Sequence, residues 1–238
     1  MKKWQGKTQF IAPIRGLIFD TKGRLLASND LGFSIAMKPY LHIKKENRKL
    51  LDEEIAFFAQ FFPDINTTML RRNYIREDSY YNQDFIEVAE FVPYEDMIAA
   101  YSELNLRENL RILPTVKRSY PYENIASHII GYIGKAIKEN EIAKLTRYVG
   151  KSGVEKYYNA ILQGEKGVRE VKVNAFNKEI EELFYTSPKS QDLILSIDME
   201  LQRFLTKVFA ENAGVAIIMD ADDGSILAAG SFPEYDLN

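Results

Sequence analysis

Asp192-Leu-Ile-Leu-Ser-Ile-Asp198-Met-Glu-Leu-Gln202, running on to Ser231-Phe-Pro-Glu-Tyr-Asp-Leu-Asn238, is the stretch whose reading decides this chain. It predicts a strand, a helix and a hairpin. Leu201, Phe204, Leu205, Val208 and Phe209 recur at steps of three and four, which lines one helical face. Asp198 is placed to cap that helix and Gly214 to stop it. The apolar runs Gly214–Met219 and Ser225–Ala229 flank Asp220-Ala-Asp-Asp-Gly224, a turn-forming cluster. These residues read as the opening of a domain rather than its close.

The preceding residues alternate between strand and helix signals. Arg15–Asp20 and Arg24–Ala27 flank Thr21-Lys-Gly23, a hairpin in which Gly23 is free to take positive φ. Phe33–Met37 is a short strand. From Lys44 to Phe62 the pattern is helical: Leu51, Ile55, Phe58 and Phe62 share a face, and Phe62-Pro63 ends it. Arg71–Gln83 is polar and tyrosine-rich and reads as a loop or edge. Phe85–Val92 is a strand, followed by a helix from Pro93 to Ser102. Leu110–Leu113 and Thr115–Arg118 form an extended segment interrupted by Pro114. Tyr122–Ile130 and Lys138–Tyr148 are helical candidates. Ser152-Gly-Val-Glu155 matches a capping box ahead of Val154, Tyr157, Tyr158, Ile161 and Leu162. Val168–Val173 and Glu179–Tyr185 read as two strands turning at Asn174–Asn177, and Ser187–Ser190 as a linker.

Composition excludes several classes of function. A formal charge of -3 over 238 residues, with no basic stripe, argues against a nucleic-acid partner. Without cysteine there is no disulfide framework, thiol nucleophile or thiolate metal site. No run approaches the ~18 apolar residues of a membrane span, and Lys7, Thr8 and Gln9 interrupt any secretory signal. Gly6-Lys7-Thr8 and Gly150-Lys151-Ser152 end like phosphate-binding loops, but the earlier glycine is Met1 in one and Leu145 in the other. Asp220–Gly224 lacks the glycine and glutamate positions of a calcium loop. His42 and His128 have no second ligand at metal spacing, and His128 reads as a satisfied structural histidine. No cofactor is expected. Lys151-Ser152-Gly153 looks like a penicillin-recognising Lys-Ser-Gly motif. No serine, however, has lysine three positions on, as an S-x-x-K nucleophile requires.

Four blocks in order resemble the class B penicillin-binding proteins. They are Arg15-Gly16-Leu-Ile-Phe-Asp20-Thr-Lys-Gly23; Arg118-Ser-Tyr-Pro121 with His128-Ile-Ile-Gly131-Tyr-Ile-Gly134; Gly150-Lys-Ser152-Gly153-Val-Glu155; and Ile226–Asn238. Thr21 stands where that family usually has arginine. Tyr120-Pro121-Tyr122 and Glu170–Asn174 are most similar to its elongation type. The resemblance implies an α+β, elongated multi-lobed pedestal over residues 15–190, after a membrane-proximal segment 1–14. It further implies a head lobe inserted at about 38–113 and the start of a transpeptidase domain at 191–238. The blocks would form the joint between pedestal and transpeptidase domain, with Arg15, Arg118 and Glu155 either pairing across it or standing as solvated surface charges.

The implied whole protein is a serine D,D-transpeptidase of cell-wall elongation at the periplasmic face of the inner membrane. It would act on peptidoglycan and partner an MreC-type scaffold protein and a RodA-type glycosyltransferase. A division-type pedestal and a free-standing binding module are the alternatives. Phe57, Phe58, Phe61 and Phe62 cover more of one helix than a single buried stripe needs. That surplus makes Phe57, Phe61, Tyr74, Tyr80, Tyr81 and Phe85 the expected docking surface, unless the rings pack inside the lobe. Because the nucleophile is missing, the chain alone should form no covalent adduct with a fluorescent β-lactam. A labelled band surviving denaturation would contradict this.

Overall fold

The computed structural model describes residues 5–137, 141–174, 179–210 and 212–238. The chain divides into two compact units, Met1–Asn29 with Arg118–Asn238, and Asp30–Lys117. The first unit opens with strands β1 (Gln5–Ile11), β2 (Ile18–Phe19) and the beginning of β3 (Leu25–Met37). β2 and β3 are antiparallel, with Ile18 opposite Ala27. The amide of Gly23 donates to the carbonyl of Asp20, and Gly23 has φ +78°.

In the second unit, β3 continues and is followed by α1 (Arg48–Phe61), α2 (Thr67–Glu77), β4 (Ile86–Pro93), α3 (Tyr94–Asn105) and β5 (Leu110–Ser119), which ends in the first unit. β3 pairs with both β4 and β5, and Phe33 lies opposite Val92. The helices bury Leu51, Ile55 and Phe58 from α1, Leu70 and Tyr74 from α2, and Met97, Ala100 and Leu104 from α3 against Ile35 and Met37. The helix expected from Lys44 to Phe62 is thus present, and Phe62 closes it. Phe33–Met37 proves to be the end of a longer strand, and β5 runs through Pro114 unbroken.

Helix α2 corrects the first half of Arg71–Gln83, expected as a loop or an edge; Asp78–Gln83 is a loop. The apolar stripe of α2 is only Leu70 and Tyr74, too narrow to show as periodicity among arginines. The Asn66 side chain caps it, accepting from the Met69 amide at 2.9 Å. Tyr74 is fully buried. Its hydroxyl donates to the Lys38 carbonyl at 2.6 Å and accepts from the Leu41 amide at 3.1 Å, and burial pushes its pKa well above the usual phenol range. Tyr74 is therefore a core residue and not an exposed docking residue. Phe57 and Phe61 are half-buried against the same core; they meet edge to face at 5.4 Å, and the Arg107 guanidinium lies 4.4 Å above Phe57.

The chain re-enters the first unit through α4 (Ser127–Ile130), β6 (Ile133–Lys135), α5 (Glu141–Thr146), β7 (Tyr148–Gly150), α6 (Gly153–Tyr157) and α7 (Asn159–Gln163). It continues with β8 (Gly167–Val173), β9 (Glu179–Thr186), β10 (Leu193–Ile194), α8 (Met199–Phe209), β11 (Gly214–Met219) and β12 (Ile226–Phe232). β8 lies between β1 and β9, β10 runs parallel beside β2, and β6–β7 and β11–β12 are two-stranded.

Several expectations here are corrected. Of Tyr122–Ile130 only the last turn is helical, the rest being a chain of tight turns. The stripe from Val154 to Leu162 belongs to two short helices broken at Tyr158. The expected helix start at Lys138 and most of the turn at Asn174–Asn177 lie outside the described residues. α8 ends at Phe209 with Ala210 at φ +44°, and Gly214 opens β11 instead of stopping the helix. The expected α8 face is also split. Leu205 is buried against the hairpin, whereas Phe204 and Val208 are 58% and 56% exposed. Among the described residues no helix is long and apolar enough to cross a membrane.

Candidate functional site

The first unit is organised around a buried carboxylate. Glu155 is fully buried in α6. One of its oxygens accepts from Arg15 Nε at 2.6 Å and the other from Arg118 Nε at 2.8 Å. Arg15 Nη2 also donates to the Glu155 carbonyl at 2.8 Å and Nη1 to Asn159 Oδ1 at 3.0 Å. Asn29 ties the two arginines together: its Oδ1 accepts from Arg118 Nη1 at 3.1 Å and its Nδ2 donates to the Arg15 carbonyl at 2.7 Å. The Tyr120 hydroxyl lies 3.4 Å from the same carboxylate. Burial and the Glu155 charge push that hydroxyl's pKa well above the phenol range, so it stays a donor. Burial lowers the Arg15 pKa, an effect that the Glu155 charge opposes.

This geometry replaces the capping box. Ser152 precedes α6 with extended backbone but makes no cap bond; its Oγ accepts from the Tyr132 amide at 3.3 Å. The Glu155 carboxylate is directed at the two guanidinium groups. The backbone approaches closely on all sides. Gly131 and Gly153 have φ +72° and +56°, and a Cβ on either would fall 2.0–2.3 Å from the other segment's carbonyl oxygen. Gly150 backs directly onto the Glu155 carbonyl, and Gly16 onto the Gln191 carbonyl while donating its amide to Leu162.

Two clasps flank this cluster. In the first, Asp20 is buried beneath its own turn. Its oxygens accept from the Lys22 and Arg24 amides, from Arg24 Nε at 2.7 Å and from the Met199 amide at the start of α8. Arg24 Nη2 bridges on to Asp198 at 2.7 Å, and Lys22 meets Asp198 and Glu200, each at 3.0 Å. Burial opposes ionisation of Asp20, but these hydrogen bonds outweigh it and hold its pKa below the usual carboxylate range. Asp198 accepts from the Glu200 amide as the expected helix cap. That bond and Lys22 pull its pKa down to about 2.

In the second clasp, the residues after β12 lie along the turns between β5 and α4. Glu234 accepts from the Ala126 amide at 2.7 Å and from Thr206 Oγ1 of α8 at 2.9 Å. The Tyr235 amide donates to Ser127 Oγ and the Leu237 amide to the Glu123 carbonyl. Asn238 pairs with the Tyr120 backbone in both directions, at 3.0 and 3.1 Å. Tyr120 thus touches the buried carboxylate through its hydroxyl and Asn238 through its backbone.

Of the residues singled out in the sequence, Arg15, Arg118 and Glu155 meet in one cluster, with Gly150, Gly131, Ser152 and Gly153 around it. Asp20 and Gly23 form the first clasp. Pro121 is exposed at the start of the turns that carry the second. His128, expected as a satisfied structural histidine, is exposed on α4 with its ring edge-on to Tyr235 at 4.9 Å. Asn29, Tyr120, Asn159, Glu234 and Asn238 were missed. The partners that bring them into the cluster and the second clasp lie far away in sequence, and although Tyr120 stands in the Arg118–Pro121 block, no spacing marks its contacts. Among the described residues no three His, Asp or Glu side chains are grouped to hold a metal ion. The arrangement joins segments: each Glu155 oxygen is bonded to a guanidinium group from a distant part of the chain.

The first unit is thus held by a buried carboxylate clasped by arginines from two distant segments. The chain belongs to the penicillin-binding protein family: the penicillin-binding protein dimerisation domain matches residues 10–194. Among curated relatives it is 30% identical to the peptidoglycan D,D-transpeptidase MrdA of Haemophilus influenzae, over 96% of this chain and 36% of the relative. It is 27% identical to MrdA of Escherichia coli K12, over 96% of this chain and 37% of that protein. The chain therefore spans little more than a third of these relatives' length. Among solved structures, it matches the Helicobacter pylori complex between PBP2 and MreC with a TM-score of 0.86 and 38% identity, over 98% of this chain and 44% of that one. It matches H. pylori PBP2 alone with a TM-score of 0.73 and 36% identity, over the same shares.

Two measurements check the electrostatics. Glu155→Ala leaves two buried guanidinium groups facing each other and should cost about 3–5 kcal/mol of unfolding free energy. Urea denaturation reads this directly, and an unchanged midpoint would show that the cluster stabilises nothing. The acid side is set by the first clasp. Asp198 has a folded pKa below its unfolded one. Its contribution is therefore complete above about pH 4 and disappears as pH falls through about 2. Asp198→Asn should flatten the loss of stability across that acid window and leave its slope at neutral pH unchanged.

Proposed function

We propose that this chain is the non-catalytic pedestal of a peptidoglycan D,D-transpeptidase of cell-wall elongation, acting at the periplasmic face of the inner membrane. The observation that supports this most is the match to H. pylori PBP2 in its complex with MreC, which extends over nearly the whole chain. In this reading residues 15–190 form the pedestal, with the lobe from about Lys38 to Leu113 inserted in it. Residues 191–238 open the transpeptidase domain. The Glu155 cluster and the two clasps hold that opening on the pedestal, so the following residues leave from a defined place and direction. The acyl transfer belongs to the catalytic domain, whose serine this chain lacks.

The partners in this reading are an MreC-type scaffold and a RodA-type glycosyltransferase, the first supported by the H. pylori complex. The inserted lobe is proposed as the scaffold's seat. Tyr80 and Tyr81 are the ring residues best placed for contact, at 72% and 95% exposed. Phe57, Phe61 and Phe85 are less available: Phe85 is covered by the Arg111 guanidinium at 4.0 Å, and the other two are half-buried.

The test is binding of the purified chain to the soluble part of the MreC-type protein from the same genome, by surface plasmon resonance. Saturable binding is expected, weakened when Tyr80 and Tyr81 are both replaced by Ser. In parallel the full-length gene product should take up fluorescent penicillin covalently. Failure of both assays would refute the proposal.

A further inference from the structure

The segment from Tyr120 to Ile130 is held in a conformation that its own residues do not favour. It is a run of tight turns in which the Glu123, Ile125 and Ser127 amides donate to the Tyr120, Tyr122 and Asn124 carbonyls. To follow that path, Glu123 takes φ +53° and Ala126 φ +62°. In this left-handed region a Cβ crowds the neighbouring carbonyl, so glycine or asparagine is the usual occupant. Among the described residues five non-glycine residues have positive φ, and two of them fall three positions apart here. Such a conformation persists where the surroundings impose it.

What imposes it is identifiable. The Glu123 carbonyl accepts from the Leu237 amide at 3.3 Å, and the Ala126 amide donates to Glu234 Oε1 at 2.7 Å. The bonds from residues 234–238 thus land on the two left-handed residues themselves. The bond to Glu234 is strengthened by the charge of its acceptor. On either side, Asn238 holds the Tyr120 backbone and the Tyr235 amide donates to Ser127 Oγ at 3.2 Å. The segment also begins where β5 ends, so the strand that arrives from the second unit runs directly into it.

We propose that Tyr120–Ile130 is a sprung latch with two states. Clasped, residues 234–238 hold Glu123 and Ala126 left-handed, and α8 is tied to the Glu155 cluster through these turns. Released, both residues return to the right-handed region and Asn238 leaves the Tyr120 backbone. Helix α8 then keeps its attachment at Asp20 but not the one through Glu234, while the Glu155 cluster stays intact. The clasp and the strain oppose each other, so a partner with differential affinity for the two states decides between them. The regulatory role rests on the pedestal reading: the latch sets the direction in which the catalytic domain leaves, and a partner on the second unit acts on it through β5.

Hydrogen exchange of single backbone amides in the chain itself, followed by NMR, tests the latch independently of that reading. Glu234→Ala deletes one acceptor. Exchange should speed by about tenfold or more at Ala126 and also at the Tyr120 amide, whose acceptor on Asn238 is untouched. The Lys156 amide of α6, bonded to the Ser152 carbonyl, should keep its protection. Glu123→Asn gives an exposed position a residue that tolerates positive φ. It should slow exchange at both amides and recover part of the protection lost in the Glu234→Ala background. Glu234→Gln keeps an acceptor oxygen; it should give the same pattern more weakly and takes the place of Glu234→Ala if that variant unfolds. Exchange that rises at Ala126 alone would show independent bonds and overturn the latch. So would a Glu123→Asn variant that exchanges as fast as the native chain. The pedestal reading falls separately, on scaffold binding and penicillin uptake.

Discussion

Glu155 is the constraint on which the first unit depends. A carboxylate taken fully out of water is costly unless its oxygens are satisfied by charged donors. Here the donors come from Arg15, before the first hairpin, and Arg118, at the end of β5. One ion therefore specifies how three distant parts of the chain meet. Well-packed apolar residues could match such a cluster in stability. They would not match its selectivity, because an apolar contact tolerates sliding, whereas two guanidinium groups on one carboxylate accept a single arrangement. The glycines around the cluster serve the same end: they let backbone come close enough for the arginines to reach.

From that centre the constraint passes outward through Tyr120. Its hydroxyl faces Glu155 and its backbone is held by Asn238. Glu234 then ties the same turns to α8, and Asp20 holds the opposite end of that helix at Met199. Helix α8 is thus fixed to the rest of the first unit at both of its ends. Polar and charged bonds predominate at this joint, and that suits a connection whose value lies in direction. The second unit is built differently. Its core is a continuous apolar cluster from three helices and a sheet, with a surplus of aromatic and aliphatic surface left outside on α3.

How much of this was legible follows from the range of each interaction. α1 was evident because its stripe is wide and repeats over several turns. The Asp20–Gly23 turn and the Asp198 cap were evident because donor and acceptor lie within a few residues. α2 was not, since two buried residues among arginines make no period, and its only sign was Asn66. The capping box at Ser152 was a false positive of the same local reasoning. Glu155 has the right spacing for it, but its carboxylate is held by two guanidinium groups from distant segments instead. On α3, Tyr94, Ile98 and Tyr101 look like ordinary core residues until the burial of Met97, Ala100 and Leu104 shows that the core face is already occupied.

By itself the sequence determined most of the element types, the resemblance to the family through its four ordered blocks, and the absence of a serine with the S-x-x-K spacing. All of these are written in the identity and near spacing of residues. Only the tertiary structure decided that Arg15 and Arg118 share one carboxylate, that Tyr120 joins that carboxylate to Asn238, and that Tyr74 is core while Ile98 is surface. These facts depend on which segments, more than a hundred residues apart in some cases, are brought within hydrogen-bond reach and shielded from water. Chain spacing does not encode that proximity; the packing of the whole unit creates it.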